Sequence, residues 1–292
     1  MSLTVNNNIM AMTAARYLSS SYSRLSDSTR KLSSGLRVGT AADDAAGLAI
    51  RELMRADIAA LNQGVRNAND GISLIQTADG ALQVIDEKLI RMKELAEQAA
   101  TGTYDSTQRL LIDSEYQQMA SEITRIANAT DFNGIKLLDG SLSGTHDGSD
   151  IKSKGELKIH FGPANDSAED YYYVEIGNAT ASALGVGNSA AGDGVSISTQ
   201  QGAQKALQAL QNAIVSKDSI RAHLGAIQNR LENTISNLQI QAENLQAAES
   251  RISDVDIASE MTNFVRNQIL TQSAVAMLSQ ANALPQLALN LL

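Results

Sequence analysis

The feature that most constrains the fold is a proline-free segment, residues 41–99, in which apolar side chains recur at steps of three and four. The positions are Ile50, Leu53, Ile58, Leu61, Val65, Ala68, Ile72, Ile75, Leu82, Ile85, Leu89 and Met92. A repeat near 3.5 residues is typical of an α-helix that packs along its length against other helices. At 1.5 Å per residue, one helix over this segment would be roughly 90 Å long. The segment therefore predicts a long, bundled helix.

Three glycines lie inside that predicted helix, at residues 64, 71 and 80. Each costs a helix interior about 1 kcal/mol relative to alanine. We therefore expect packing against neighbouring segments to hold this helix together.

The composition agrees with a narrow aliphatic core, since apolar residues make up 43% of the chain and aromatic residues only 3%. The net charge of −9 argues against partners such as nucleic acid or an anionic membrane. The absence of cysteine excludes disulfides and thiolate sites. The first nine residues lack the features of a cleavable signal peptide, and no apolar run is long enough to span a bilayer.

An amphipathic segment lies at each end of the chain. The first carries its apolar row at near-heptad spacing, at Val5, Ile9, Met12, Ala15, Leu18, Tyr22, Leu25, Thr29, Leu32 and Leu36. The last is expected to end at Pro285 and carries Ile257, Met261, Phe264, Val265, Ile269, Leu270, Val275, Met277 and Leu278. Asp43 or Asp44, and Asp254 or Asp256, are placed to cap the helices that follow them.

The middle of the chain predicts a second helix, a turn, a hairpin and a second long helix. Asp105 and Gln108 form a capping box before the second helix, and Asn133-Gly134 predicts a tight turn. Residues 139–200 are rich in small and polar residues, and alternation at 157–161 and 172–176 predicts a β-hairpin there. Ser198 begins another capping-box pattern, after which a helical seam continues to residue 252.

These elements predict a mainly α fold, a long coiled-coil-like helical bundle with nested, discontinuous domains and a small β-hairpin region. Pairing the two ends of the chain places residues 1–40 and 254–292 in an inner terminal-helix domain. Residues 41–253 then form an elongated helical domain that carries the hairpin and loops of 139–200.

The sequence offers no pattern for a catalytic, cofactor or metal site. His146, His160 and His223 are scattered, without a carboxylate or second histidine at ligand spacing. No glycine-rich phosphate loop or nucleophile motif occurs. The terminal helices carry more apolar surface than one narrow subunit can bury, which favours self-assembly over enzymatic activity.

Several strings of residues, in order, resemble bacterial flagellin over nearly the whole chain. They begin at Leu32 (LSSGLR), Asp43 (DDAAG), Arg66 (RNANDGI), Asp131 (DFNG), Leu224 (LGAIQNR) and Ser279 (SQAN, followed by Pro285). Larger flagellins insert outer domains where this chain has about 60 residues, so it resembles a minimal member.

The resemblance implies a homopolymer, the extracellular filament of the bacterial flagellum, reached by export of an unfolded chain through the flagellar type III apparatus. The terminal helices would form its inner tube. The expected assembly residues are Val5, Ile9, Leu18, Leu25, Leu32, Ile257, Met261, Phe264, Ile269 and Leu278. Further implied partners are the hook-associated and cap proteins and an export chaperone at the C-terminal helix.

The resemblance also implies recognition of the monomer by a flagellin-sensing Toll-like receptor of innate immunity. The matching positions are Arg91, Leu95 and Glu115. Arg91 and Leu95 lie one residue off the apolar stripe, so we expect Leu95 outside the subunit's own core. The same surface also suits contact between subunits.

Two alternatives remain open at this point. The hook–filament junction protein shares the terminal helices, although the strings at Arg66 and Ser279 favour flagellin. An exported helical adhesin or enzyme would need a constellation of ligand or catalytic residues, for which the hairpin is the only candidate region.

Overall fold

A computed structural model describes residues 8–148, 155–166, 169–187 and 195–289, without the side chains of 284–289. Within these ranges the chain forms five α-helices and two antiparallel strand pairs. The helices are α1 (Ile9–Ser34), α2 (Ala45–Ala100), α3 (Ser106–Ala129), α4 (Gln200–Ser253) and α5 (Ile257–Leu289). The strands are β1 (Asp131–Phe132), β2 (Ile135–Lys136), β3 (Leu157–His160) and β4 (Tyr171–Val174). The predicted mainly α fold is confirmed.

Side-chain caps explain where most helices begin. Asp44 accepts hydrogen bonds from the backbone of Ala46 and Gly47 before α2, and Asp105 with Gln108 forms the predicted capping box of α3. Asp256 accepts from Ala258 at the start of α5. The cap of α4 is one residue later than predicted, because the Thr199 hydroxyl, not Ser198, accepts from Gly202.

At their C-terminal ends, α1 stops at a glycine, whereas α5 continues past a proline. Gly35 ends α1 with a φ of 74°, the left-handed conformation that favours glycine at a helix C-terminus. The prediction that the last helix ends at Pro285 is wrong, because α5 continues to Leu289.

The chain divides into two compact units, each built from separate stretches of sequence. The first comprises Met1–Ile58 with Glu243–Leu292, and the second comprises Ala59–Ala242. The domain boundaries expected from the sequence, 40/41 and 253/254, stay a prediction.

The second unit has an aliphatic core. Fully buried residues from α2, α3 and α4 recur at helical spacing and include Ile75, Leu82, Ile85, Leu89, Met92, Tyr116, Ile123, Leu210, Leu224 and Leu231. The predicted seam of α2 is thus confirmed from Leu61 onward. Its first two members, Ile50 and Leu53, are 46% and 68% exposed instead.

Charged side chains join α2 to α4 inside this unit. Lys217 is buried and forms ion pairs with Asp86 of α2 and with Asp218. One turn further along α4, Arg221 pairs with Asp79 at 2.6 Å. Because the partner positions fall along α2 as they rise along α4, the two helices run antiparallel in this unit.

The β3–β4 hairpin rests on α2, in the register Leu157↔Val174 to His160↔Tyr171. A Cβ atom on Gly64 would lie 1.9 Å from the carbonyl oxygen of Phe161, and one on Gly71 would lie 2.4 Å from the Ile159 side chain. Between them, the Asn67 side-chain amide donates to the His160 carbonyl at 2.8 Å. These two glycines therefore let the hairpin approach the helix closely.

The β1–β2 hairpin is closed by the predicted turn. Asn133 and Gly134 have φ values of 51° and 80°, and the Gly134 amide donates to the Asp131 carboxylate.

Among the described residues, no helix combines the length and apolar character needed to cross a bilayer. The same residues contain no cluster of three histidine, cysteine or carboxylate side chains that could hold a metal ion.

Candidate assembly and recognition surfaces

In the first unit, α1 and α5 pack against each other as an antiparallel pair. The Asn8 side chain donates to the Ala281 carbonyl at one end, and Leu36 forms a β-bridge with Asp254 at the other. Pairing of the two terminal segments is therefore confirmed.

The seam between these helices has heptad spacing but is made largely of small and polar residues. On α1, the buried or half-buried row is Ala11, Ala14, Leu18, Ser21, Leu25, Ser28 and Leu32. On α5, it is Glu260, Phe264, Asn267, Thr271, Ala274, Leu278 and Ala281. Small side chains allow the helices to approach closely, but they leave little apolar area to bury.

Most of the large apolar side chains described on the two helices point away from this seam. On α1, the exposed ones are Ile9, Met10, Met12, Tyr17 and Tyr22. On α5, they are Ile257, Met261, Val265, Ile269, Leu270, Val275 and Met277. Four of the latter follow an i, i+4 row from Ile257 to Ile269, so they form a continuous ridge. We call these two sets the outward faces of α1 and α5.

The predicted assembly residues are thus divided between two surfaces. Leu18, Leu25, Leu32, Phe264 and Leu278 lie half-buried on the α1–α5 seam within the subunit. Ile9, Ile257, Met261 and Ile269 lie on the outward faces, with exposures from 44% to 65%. Val5 lies outside the described residues.

The predicted row on α1 is wrong at five positions, because Ile9, Met12, Ala15, Tyr22 and Thr29 are exposed. Tyr22 and Thr29 are exposed, while Ser21 and Ser28 are 5% and 4% exposed on the seam. Apolar periodicity selected the wrong neighbour in each pair because this seam uses serine, and α1 carries a second apolar face. The burial of the serines has no strong signal in a hydrophobicity pattern.

The segment after α1 is tied down by a carboxylate with five donors. Asp43 accepts from both terminal nitrogens of Arg30 at 3.0 and 2.8 Å, from the Gly39 and Thr40 amides, and from the Thr40 hydroxyl. The Arg30 hydrogen bonds, followed by those of Thr40, hold the pKa of the Asp43 carboxyl well below its usual range. Sequence reasoning assigned this residue only a possible capping role.

The same segment is joined to the chain between α4 and α5. The Arg37 amide donates to the Ser253 carbonyl, and the Val255 amide donates to the Gly35 carbonyl at 3.0 Å. Nearby, the buried Arg51 donates to the Val38 carbonyl at 2.7 Å. These bonds position the base of the α1–α5 pair.

In the second unit, Arg91 of α2 and Glu115 of α3, two of the three receptor-site positions implied by the resemblance, meet on the surface. The guanidinium donates to the Glu115 carboxylate at 2.8 and 3.0 Å, and to Glu94 at 3.0 Å. These hydrogen bonds raise the pKa of Arg91. The two side chains are 49% and 43% exposed, so both remain accessible to a partner.

Leu95 does not share that surface. The expectation that it lies outside the subunit's own core is wrong, because the residue is only 2% exposed. Ala96 and Ala99 of α2 are buried too, so the buried face of the helix is wider here than the predicted stripe. The exposed part of the predicted receptor site is therefore the Arg91–Glu115 pair.

Family models match both ends of the chain. The bacterial flagellin N-terminal helical region matches residues 5–143, and the bacterial flagellin C-terminal helical region matches residues 207–292. Together these models cover more than half of the sequence.

Whole-chain relatives agree with these models. Flagellin of Halalkalibacterium halodurans is 43% identical, and the flagellar filament 33 kDa core protein of Treponema phagedenis is 42% identical. Each alignment covers 99% of this chain and 100% of the relative. The crystal structure of Bacillus cereus flagellin is 31% identical, with a TM-score of 0.47 over 63% of this chain and 94% of that chain. The two family models and the whole-chain relatives show that the chain belongs to the bacterial flagellin family.

Proposed function

We propose that this chain is the structural subunit of the bacterial flagellar filament and that it polymerises through the outward faces of α1 and α5. The single observation that carries this proposal is that these two helices place more large apolar side chains outside their own seam than within it. Small and polar residues make up most of their seam, while large apolar side chains such as Met12, 70% exposed, and Ile257, 65% exposed, face outward. Contiguous exposed apolar rows of this kind mark protein interfaces.

Membership of the flagellin family supports further copies of the same chain as the occupant of these faces. The filament lies outside the cell, and the chain reaches it unfolded through the flagellar type III apparatus. Within that assembly, its other partners are the hook-associated and cap proteins, and an export chaperone binds the C-terminal helix before export.

The test is electron microscopy of the full chain in concentrated salt, with a variant on the α5 ridge. Met261→Asp places a carboxylate where a neighbouring copy would bury it, so we expect long uniform filaments from the parent and none from the variant. Thr262→Asp, at an exposed polar position beside it, is the matched control and should polymerise. Filaments from Met261→Asp at the parent's protein concentration would contradict the proposal.

A second proposed role is recognition of the monomer by a flagellin-sensing Toll-like receptor at the Arg91–Glu115 pair. The exposed guanidinium offers planar, multi-donor hydrogen bonding to a partner. Both side chains are exposed to solvent, where an ion pair contributes little to stability, so a variant can alter recognition without unfolding the subunit.

A charge swap tests this role with stability held constant. Arg91→Glu combined with Glu115→Arg keeps an ion pair between α2 and α3 but reverses what a partner meets. We expect a receptor-reporter cell line to lose its response to this variant while the melting temperature stays near that of the parent. An undiminished response would leave the pair as a structural contact only.

A further inference from the structure

A groove of about 710 Å³ lies between α1 and α5 on one side of their seam. Its apolar lining includes Ala15, Leu18 and Tyr22 of α1 and Val275 of α5. Tyr22 is 66% exposed and Val275 is 49% exposed, so the subunit itself leaves much of this lining uncovered. Among the described residues that line the groove, Asp27 alone is charged. We call this surface the α1 groove.

The ridge on α5 has the length of this groove. The lining follows α1 from Ala15 to Asp27, and the ridge follows α5 from Ile257 to Ile269, so each extends over twelve residues, or about 18 Å of helix. Helices commonly pack by fitting an i, i+4 ridge of one into a groove of the other. Because ridge and groove are different surfaces, each copy can bind one neighbour through its ridge and another through its groove, as an open polymer requires. A contact between two ridges would close two copies into a dimer instead.

Charged residues at the two ends favour one direction for a ridge in the groove. Asp27 lies at one end of the α1 groove with a side chain that is 59% exposed, and Arg16 is exposed beyond the other end. On α5, Asp256 precedes the ridge, and Arg266 is exposed near its far end. A neighbour's α5 that runs parallel to α1 brings Arg266 toward Asp27 and Asp256 toward Arg16. The antiparallel direction brings like charges together at both ends, which is unfavourable.

The Asp27 and Arg266 side chains are both able to form such a pair. Within the described ranges, the Arg266 side chain has no ion pair or hydrogen bond. Asp27 approaches Arg30 at 3.6 Å, but two shorter contacts of 2.8 and 3.0 Å already bind the Arg30 guanidinium to Asp43. The Asp27 carboxylate can therefore accept a second cation.

We infer that the α5 ridge of a second copy of this chain lies in the α1 groove and runs parallel to α1. This inference rests on the proposed filament function, which supplies the second copy, and it says which surfaces of two neighbours meet. The occupant is argued from the matching lengths of ridge and groove, from their apolar side chains and from the opposite charges at their ends. The end of the groove at Ser26 is about 27 Å along α1 from Asn8, whereas the seven residues before Asn8 span at most about 25 Å, so this end lies beyond their reach.

Disulfide cross-linking tests both the pairing and its direction. The chain has no cysteine, so Ser26→Cys places a single thiol at the Asp27 end of the groove, and Ile269→Cys places one at the Arg266 end of the ridge. The two variants are mixed, polymerised and oxidised, and mass spectrometry identifies the linked peptides. Ser26→Cys mixed with Ile257→Cys is the matched control, because Ile257 is exposed at the opposite end of the same ridge.

We expect about tenfold more mixed dimer with Ile269→Cys than with Ile257→Cys, because Ile257 would lie roughly 18 Å farther from the groove thiol, beyond disulfide range. More mixed dimer with Ile257→Cys, or links mainly between two Ile269→Cys chains, would overturn the inference. Electron microscopy of the same mixtures reports on the filament separately. Filaments without the mixed dimer would overturn this docking alone, whereas a parent chain that forms no filaments would overturn the proposed function as well.

Charge exchange provides a second test that leaves the apolar ridge intact. Asp27→Arg and Arg266→Asp each place like charges together across the contact, and each should raise the critical concentration for polymerisation up to about fivefold. The chain that carries both substitutions restores opposite charges and should polymerise within about twofold of the parent. A double variant that polymerises no better than the weaker single variant would overturn the parallel docking.

Discussion

Gly64 of α2 lies directly against Phe161 at the end of β3, so that an added Cβ atom would stand 1.9 Å from the Phe161 carbonyl oxygen. A backbone atom cannot move aside as a flexible side chain can. Gly80 of the same helix has no atom within 4 Å of its hypothetical Cβ. The same residue type in the same helix therefore has opposite roles at these two positions.

Alanine substitutions at these glycines should change stability in opposite directions. Gly80→Ala removes only the helical cost of glycine and should raise the free energy of unfolding by up to about 1 kcal/mol. Gly64→Ala forces the hairpin off the helix and should lower it by about 1–3 kcal/mol. Urea titration followed by circular dichroism measures both. Equal effects of the two substitutions would refute the close packing of the β3–β4 hairpin on α2 that we describe.

The buried Lys217 should tolerate loss of its charge better than loss of its partner. Asp86→Ala leaves a cation that is 2% exposed without its α2 carboxylate, and should cost about 1–3 kcal/mol. Lys217→Met replaces the cation by an apolar side chain of similar length and should be nearly neutral. Asp57→Ala, at an exposed position of α2, controls for the substitution itself. A Lys217→Met variant less stable than Asp86→Ala would contradict this account.

The hydrogen bonds to the Asp43 carboxylate should make part of the stability of the folded chain depend on pH. Because the folded-state pKa of this carboxyl is lowered, its contribution is fully present above the unfolded value of about 4 and is lost as the pH falls toward the folded value. The melting temperature of the parent should therefore exceed that of Asp43→Asn at pH 7, and the difference should shrink between about pH 4 and pH 2. A difference that stays constant on acidification would show that charge on Asp43 does not contribute.

Leu95 should behave as a core residue. Leu95→Ala creates a cavity and is expected to cost about 2–5 kcal/mol. Leu111→Ala, the same change at a position that is 71% exposed on α3, should stay within about 0.5 kcal/mol of the parent. Chemical denaturation of both variants provides the comparison. If Leu95→Ala is as stable as Leu111→Ala, the residue is not packed as described.

Much of the fold could be predicted because periodicity and caps are local. The sequence predicted the capping box of Asp105 with Gln108, the Asn133-Gly134 turn and the β3–β4 hairpin. It also predicted the pairing of the two ends of the chain. What could not be read is which of two adjacent faces a helix buries. Ser21 and Ser28 occupy the seam while Tyr22 is exposed, since helix packing there selects for small size rather than apolar character.

The prediction of the receptor site was limited for the same reason, because the sequence does not show how the helices pack against one another. The resemblance supplied Arg91 and Glu115, which do meet, but the burial of Leu95 depends on tertiary packing around α2 that apolar periodicity does not show. From the sequence alone, a glycine inside a helix only lowers the stability of that helix. The positions of Phe161 and Ile159 show that Gly64 and Gly71 also create space for a strand.

The most direct measurement of the central claim is the accessibility of the outward face of α5 before and after polymerisation. Ile269→Cys gives a single thiol at a position that is 56% exposed in the subunit. If neighbouring copies cover this face, the thiol reacts rapidly with a maleimide in the monomer and at least tenfold more slowly in the filament, since roughly 1.4 kcal/mol of protection already gives that factor. Equal reaction rates in monomer and filament would contradict the claim that the outward faces form the assembly interface.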